Sequence, residues 1–241
     1  MPSLQAYQFR MPAGFAGDLQ RAEVATIETQ LIDSATPPLA FGVPVKFVAG
    51  KIQPIAAADP GSVVQGNGTD PLGTSTPPTS GVTDILKRGY VMVALNGATA
   101  AAKNASAYVR VGNASAGKPI GGVEAGTDNA VASLAYAGNT GNGTLGTLSA
   151  LAAAQPGAYN AVFVAATKFE VYDPLGKFIA VGTTGVAFSS QVQFTITAGG
   201  TAFVAGDGFS VTVTANTVVI PGAFFTGPAD AYAITEVAIN L

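Results

Sequence analysis

Two stretches of the chain alternate apolar and polar residues without a break. In Gln191–Thr197, Val192, Phe194 and Ile196 fall on one side, and Gln191, Gln193, Thr195 and Thr197 on the other. Phe209–Thr214 repeats the pattern with Phe209, Val211 and Val213. A period of two predicts strands with one buried and one wet face. Asp173-Pro-Leu-Gly176, Ala198-Gly-Gly-Thr201 and Gly206-Asp-Gly208 supply turn chemistry between such runs. With Tyr159–Ala166 and Lys177–Val181 as further strands, residues 159–214 are expected to form a β-meander within a small all-β domain.

The same signs recur upstream, less regularly. Residues 1–21 are interrupted by Pro2, Pro12, Gly14 and Gly17 and show no core pattern. Arg21–Asp33 fits either a helical stripe (Val24, Ile27, Leu31) or extended chain, and its Thr and β-branched content favours the latter. Phe41–Val48 and Lys51–Ile55 suggest a hairpin around Ala49-Gly50, with Pro44 suited to an edge. Ala56–Gly81, rich in Pro and Gly, is expected to be a long loop. Gly89–Leu95 suggests a strand buried on both faces, followed by shorter strands at Ala107–Val111 and Pro119–Val123. From Asn129 to Ala158 the alternation is lost, which suggests a domain boundary. Val218–Ile220, Phe224-Phe225 and Tyr232–Leu241 close the chain as strands. The fold class expected is all-β, two small sandwich- or barrel-like domains with few or no helices.

Composition changes the picture in one respect. Of 241 residues, 48% are apolar but only 10% are charged, against about 25% in an average soluble domain. The net charge is −3. A surface of Thr, Ser, Asn, Gln, Gly and Ala is weakly protected against association, and we read it as a surface that other protein covers. No window of about 18 unbroken apolar residues predicts a membrane span. No signal sequence is expected at the N-terminus, and no basic excess suggests nucleic acid.

The chain has neither His nor Cys. A His-based triad, a Cys nucleophile and an ordinary zinc site are thereby excluded. The carboxylates, Lys, Arg and Tyr show no arranged spacing, so no catalytic residue, cofactor or metal is expected. Gly141-Asn-Gly-Thr-Leu-Gly146 matches the G-x-G-x-x-G fingerprint, with Val131–Ala137 and Thr147–Ala154 as its conceivable strand and helix. Gln155-Pro-Gly157 would end that helix within two turns, and only strands follow, so the dinucleotide reading is rejected. Asn67, Asp70 and Asp207 lack the two-residue steps of a calcium loop and suit Asx-turn chemistry better. The four Asn-x-Ser/Thr sequons are expected by chance in a chain of this composition.

The candidates for function are therefore surfaces. Tyr7, Phe9, Arg10, Phe15 and Arg21 concentrate in the patternless N-terminal arm, and aromatics and Arg are the usual anchors of protein interfaces. The arm could equally fold back on its own domain.

Longer phrases carry a resemblance. Ala16-Gly-Asp-Leu-Gln-Arg-Ala-Glu23, Thr26–Asp33, Phe41–Lys46, Val219–Phe225 and Ala233–Asn240 resemble the opening and closing segments of tailed-bacteriophage capsid cement proteins. Asn139–Thr144, Phe169–Gly176 and Phe194–Phe209 resemble a β-module of phage head-decoration proteins. The resemblance implies a capsid-binding domain from residues 1–130 and 217–241, with 139–216 as an inserted module projecting outward. It also implies a virion protein on the outer capsid surface, made in the host cytoplasm and self-associated as a trimer or dimer. Its partner would be the major capsid protein where capsid subunits meet. An adhesive or carbohydrate-binding β-module is the alternative, and an enzyme using Asp, Glu or Lys has no positive support.

Overall fold

A computed structural model describes residues 14–69 and 76–240. Its strands, in chain order, are β1 (Leu19–Gln20), β2 (Thr26–Leu31), β3 (Pro44–Val48), β4 (Lys51–Pro54), β5 (Gly66–Gly68), β6 (Val82–Asn96), β7 (Ser106–Arg110), β8 (Val123–Glu124) and β9 (Asn129–Ala135). They continue as β10 (Thr144–Ala150), β11 (Gly157–Ala165), β12 (Lys168–Tyr172), β13 (Phe178–Thr183), β14 (Ala187–Ser189), β15 (Val192–Thr197), β16 (Gly208–Ala215), β17 (Thr217–Phe225) and β18 (Ile234–Ile239). Two single 3₁₀ turns, at Ala22–Val24 and Gly61–Val63, are the helical elements among the described residues. The protein is all-β. It divides into a first unit, up to Thr127 and from Thr217 onward, and a second unit, Asp128–Asn216.

The first unit is organised by β6, the longest strand. Its C-terminal half joins a ring in which β6, β8, β7, β17 and β18 are paired in succession and β18 pairs back onto β6. A closed ring leaves no open edge. All its pairs are antiparallel except β6 with β8. Inside the ring Val91, Val93, Val109, Val123, Phe225 and Val237 pack together, each at most 2% exposed. The N-terminal half of β6 lies between β2 and β5, and β5 continues to β3 and β4. A smaller core of Ile32, Val45, Ile52 and Ile85 fills this part.

The β3–β4 hairpin turns at Ala49 (φ 49°) and Gly50 (φ 76°), the left-handed pair that a two-residue hairpin requires. Pro44 does not mark an edge. It is the first residue of an inner strand, where a missing donor is also tolerated, and β4 is the outer strand. The 56–81 segment is not all loop: Gly66-Asn67-Gly68 is a buried strand. Such a sequence has no apolar period to announce it. The backbone needs Gly66 because a side chain there would meet the Leu86 carbonyl at 2.5 Å. Pro119–Gly122 is a turn, closed by the Gly122 N–H donating to Pro119 O (3.0 Å), and the strand begins at Val123.

The second unit is two sheets, β13-β12-β11-β16-β9 and β10-β15-β14. The alternating runs behave as their pattern demands: Val192, Phe194, Ile196, Phe209, Val211 and Val213 are buried. The connection is not a simple meander. After β13 the chain crosses to the smaller sheet, and β16 returns beside β11. The patternless stretch 129–158 contains two strands, β9 and β10. β9 is an edge strand with a largely exposed surface, and β10 carries an irregularity between Gly146 and Ser149 that breaks its alternation. The core is aromatic: Phe163 stacks on Phe203 (4.0 Å between centroids) and Phe188 on Phe194 (5.0 Å).

Candidate interaction surface

Of the five residues expected at an interface, Tyr7, Phe9 and Arg10 lie outside the described residues. Phe15 opens a tight turn in which the Asp18 N–H donates to Phe15 O (3.0 Å), and its ring is half exposed. Arg21 takes a left-handed conformation (φ 51°) before the first 3₁₀ turn. Its guanidinium donates to Glu236 Oε2 (3.2 Å) and lies over the Tyr90 ring, 4.0 Å from the centroid. Arg21 thus ties the start of the described chain to β6 and β18, which commits its charge within the first unit.

Near this start, the first unit has an apolar cleft of about 660 Å³. Its walls are Pro37, Leu39, Phe41, Pro54, Ile55 and Ile120, with Ala16 at the turn and no charged residue among its lining. Leu39 is 83% exposed, whereas Phe41 and Ile55 are buried beneath it. Sequence reading did not single out this cleft. The signal was Pro37-Pro38, two residues that cannot continue a strand interior, followed at once by Leu39 and Phe41. Leu39 stands exposed at the rim and Phe41 is buried.

The chemistry-like motifs resolve into structure. In Gly141-Asn-Gly-Thr-Leu-Gly146, a side chain at Gly141 would meet Phe203 Cδ1 at 2.5 Å, and one at Gly143 would meet the same ring at 2.6 Å. These glycines let the backbone lie on an aromatic core residue. Of the conceivable helix Thr147–Ala154, the first four residues, Thr147–Ala150, belong to strand β10. Asp207 is an acceptor for three backbone N–H groups, of Thr140 (2.9 Å), Gly141 (2.9 Å) and Val204 (3.0 Å). These bonds, that of Thr140 first, hold its carboxyl below the usual carboxylate range. Asn67 donates to Gly42 O (3.2 Å). Among the described residues no group of three or more Asp and Glu is placed to hold a metal, and no helix is long and apolar enough to cross a membrane.

One buried ion pair stands apart. Arg110 on β7 and Glu124 on β8 are bidentate, Nε to Oε1 at 2.5 Å and Nη2 to Oε2 at 3.1 Å. Arg110 Nη1 also donates to the carbonyls of Gly112 (3.0 Å) and Asn113 (3.3 Å). All three guanidinium nitrogens are occupied by the fold itself, so the pair has a structural role in clasping the short β8 to the ring.

Among curated proteins, no match was found. Two crystal structures of Xanthomonas campestris FlgL, in space groups H3 and C2, are similar at 29% identity with a TM-score of 0.31. The likeness covers 37% of this chain and 30% or 29% of the FlgL chains. The chain therefore spans under a third of their length, and nothing about fold or function rests on that likeness. The sequence model of the XM1 gp53 minor capsid protein family matches residues 4–153, more than half of the chain, and the chain belongs to that family.

Proposed function

We propose that the protein binds the outer surface of an assembled phage capsid at junctions between major capsid subunits and stabilises the shell. The observation that carries this is membership of a minor capsid protein family over residues 4–153. It supports a structural virion role with the major capsid protein as partner. The charge-poor surface and its exposed apolar side chains, Leu39, Val82 and Leu134 among them, suit a protein that lies against neighbours. The mechanism is linkage. A protein that binds only the assembled lattice stabilises it by mass action, and many symmetric copies add avidity. In this reading the chain contributes surfaces and catalyses nothing.

The first unit and the N-terminal arm supply the anchoring surface, with Tyr7, Phe9, Arg10 and Phe15 as contacts. Arg21 acts by fixing the root of the arm. The second unit is a separate module with its own aromatic core. The test is occupancy on purified particles. Replacing residues 128–216 by a short linker leaves binding intact, while removing residues 2–15 weakens it. Loss of binding by a folded first unit, or unchanged occupancy without the arm, contradicts the assignment.

A further inference from the structure

Among the described residues the second unit has four outer strands, and three of them are guarded. β14 is three residues long, and the pairings of β10 and β13 each carry a register shift. Short edges and bulges discourage further pairing. β9 has neither protection. It runs seven residues, Asn129–Ala135, in unbroken register with β16, and contains no charge, Pro or Gly. Just beyond its ends, the Tyr136 N–H donates to Gly208 O (2.9 Å) and the Asn216 N–H to Asp128 O (2.8 Å). Backbone groups alternate sides along a strand. The even-numbered residues of β9 therefore face β16, and Asn129, Val131, Ser133 and Ala135 turn their N–H and C=O groups outward. Among the described residues β9 pairs with β16 alone, and no turn or loop takes up this outward row.

Such a row calls for an extended strand, and β9 is its own complement. Set antiparallel to a second β9 about a two-fold axis at Ala132, the strand places Val131 opposite Ser133 of the second copy and Asn129 opposite its Ala135. These are the pairs that exchange hydrogen bonds, so the whole outward row is used. On the face away from the core, Leu134, 74% exposed, lies opposite Ala130 of the second copy, and Ala132 meets Ala132. Large meets small, and no like charges are brought together. Val131 keeps its packing on the core of its own unit. We propose that two copies of this chain join β9 to β9 across a two-fold axis, so that one sheet runs through both. Such a contact is closed and isologous, and it is separate from the shell contact assigned to the first unit.

The chain has no cysteine, so single substitutions report the register. Residues opposed in a non-hydrogen-bonded pair lie about 4.5 Å apart at Cα, inside the range of about 4.4–6.8 Å that a disulfide spans. Ala132→Cys is therefore expected to give a disulfide-linked dimer when the purified full chain is oxidised and run without reductant. Leu134→Cys is the control: the position is 74% exposed, but its counterpart in the second copy lies four residues along, roughly 13 Å away. The proposal predicts cross-linking of Ala132→Cys at least about tenfold above that of Leu134→Cys. Ala130→Cys chains mixed with Leu134→Cys chains link to each other. Ser133→Pro removes one outward donor at an edge, where Pro is tolerated. Added to Ala132→Cys, it abolishes the dimer while the second unit remains folded. Equal cross-linking at every position overturns the proposal. So does none above Leu134→Cys, the result if the edge stays free or takes the strand of another protein. So does a dimer that survives Ser133→Pro in a folded chain. All readings use the free chain, so failure here leaves the shell assignment standing.

Discussion

At the scale of single residues, the two features with most consequence are both satisfied internally. Arg110 and Glu124 are buried, and burying a pair is tolerable only because each charge keeps its partner. Glu124→Gln or Arg110→Met alone is expected to destabilise the first unit by about 3–5 kcal/mol, measured by denaturant unfolding. The joint replacement Arg110→Met with Glu124→Leu should cost far less, because neither charge is then orphaned. Asp207 gives a pH signature. Its folded carboxyl titrates below the ordinary value of 3.8, so its contribution is full above that value and is lost as pH falls through the folded one. Thermal unfolding of the second unit is therefore expected to become steeply acid-sensitive below pH 3.8, and Asp207→Asn should flatten that dependence while lowering stability at neutral pH. The carboxylate itself was visible in the sequence as a Gly-flanked turn residue. Two of its three backbone donors, Thr140 and Gly141, were not, because they lie far away in the chain.

At the scale of elements, legibility followed side-chain size. Strands whose buried face is Phe, Val and Ile, such as β15 and β16, declare themselves by alternation. Strands made of Gly, Asn, Ala and Thr do not: β5, β9 and β10 have the backbone pairing of strands without the apolar period. Their place is set by neighbours. Gly141 and Gly143 are required by Phe203, and Gly182 by the ring of Phe169, against which any side chain would collide. Gly182→Ala is expected to overpack this core and cost about 1–3 kcal/mol. Phe169→Ala empties it and should cost about 3–5 kcal/mol. Both changes are read by unfolding of the second unit, and the barrel core of the first unit should melt unchanged. Pairing order was beyond the pattern: period two fixes which face is buried, and says nothing of β16 returning to β11.

At the scale of the whole molecule, the absences in the sequence narrowed the function more than any motif did. Without His or Cys, and with few charges, the sequence directed attention to surfaces as the candidates for function. The apolar cleft was illegible because its walls come from the β2–β3 connection (Pro37, Leu39), the end of β4 (Pro54) and the turn before β8 (Ile120), which only the fold assembles. The most direct measurement of the central claim is an electron-microscopy reconstruction of purified particles. The account predicts density for this chain on the outer face of the shell, over junctions between major capsid subunits and repeated with the capsid's symmetry. Particles that carry the chain inside the shell or on the tail alone, or that lack it altogether, would contradict the account.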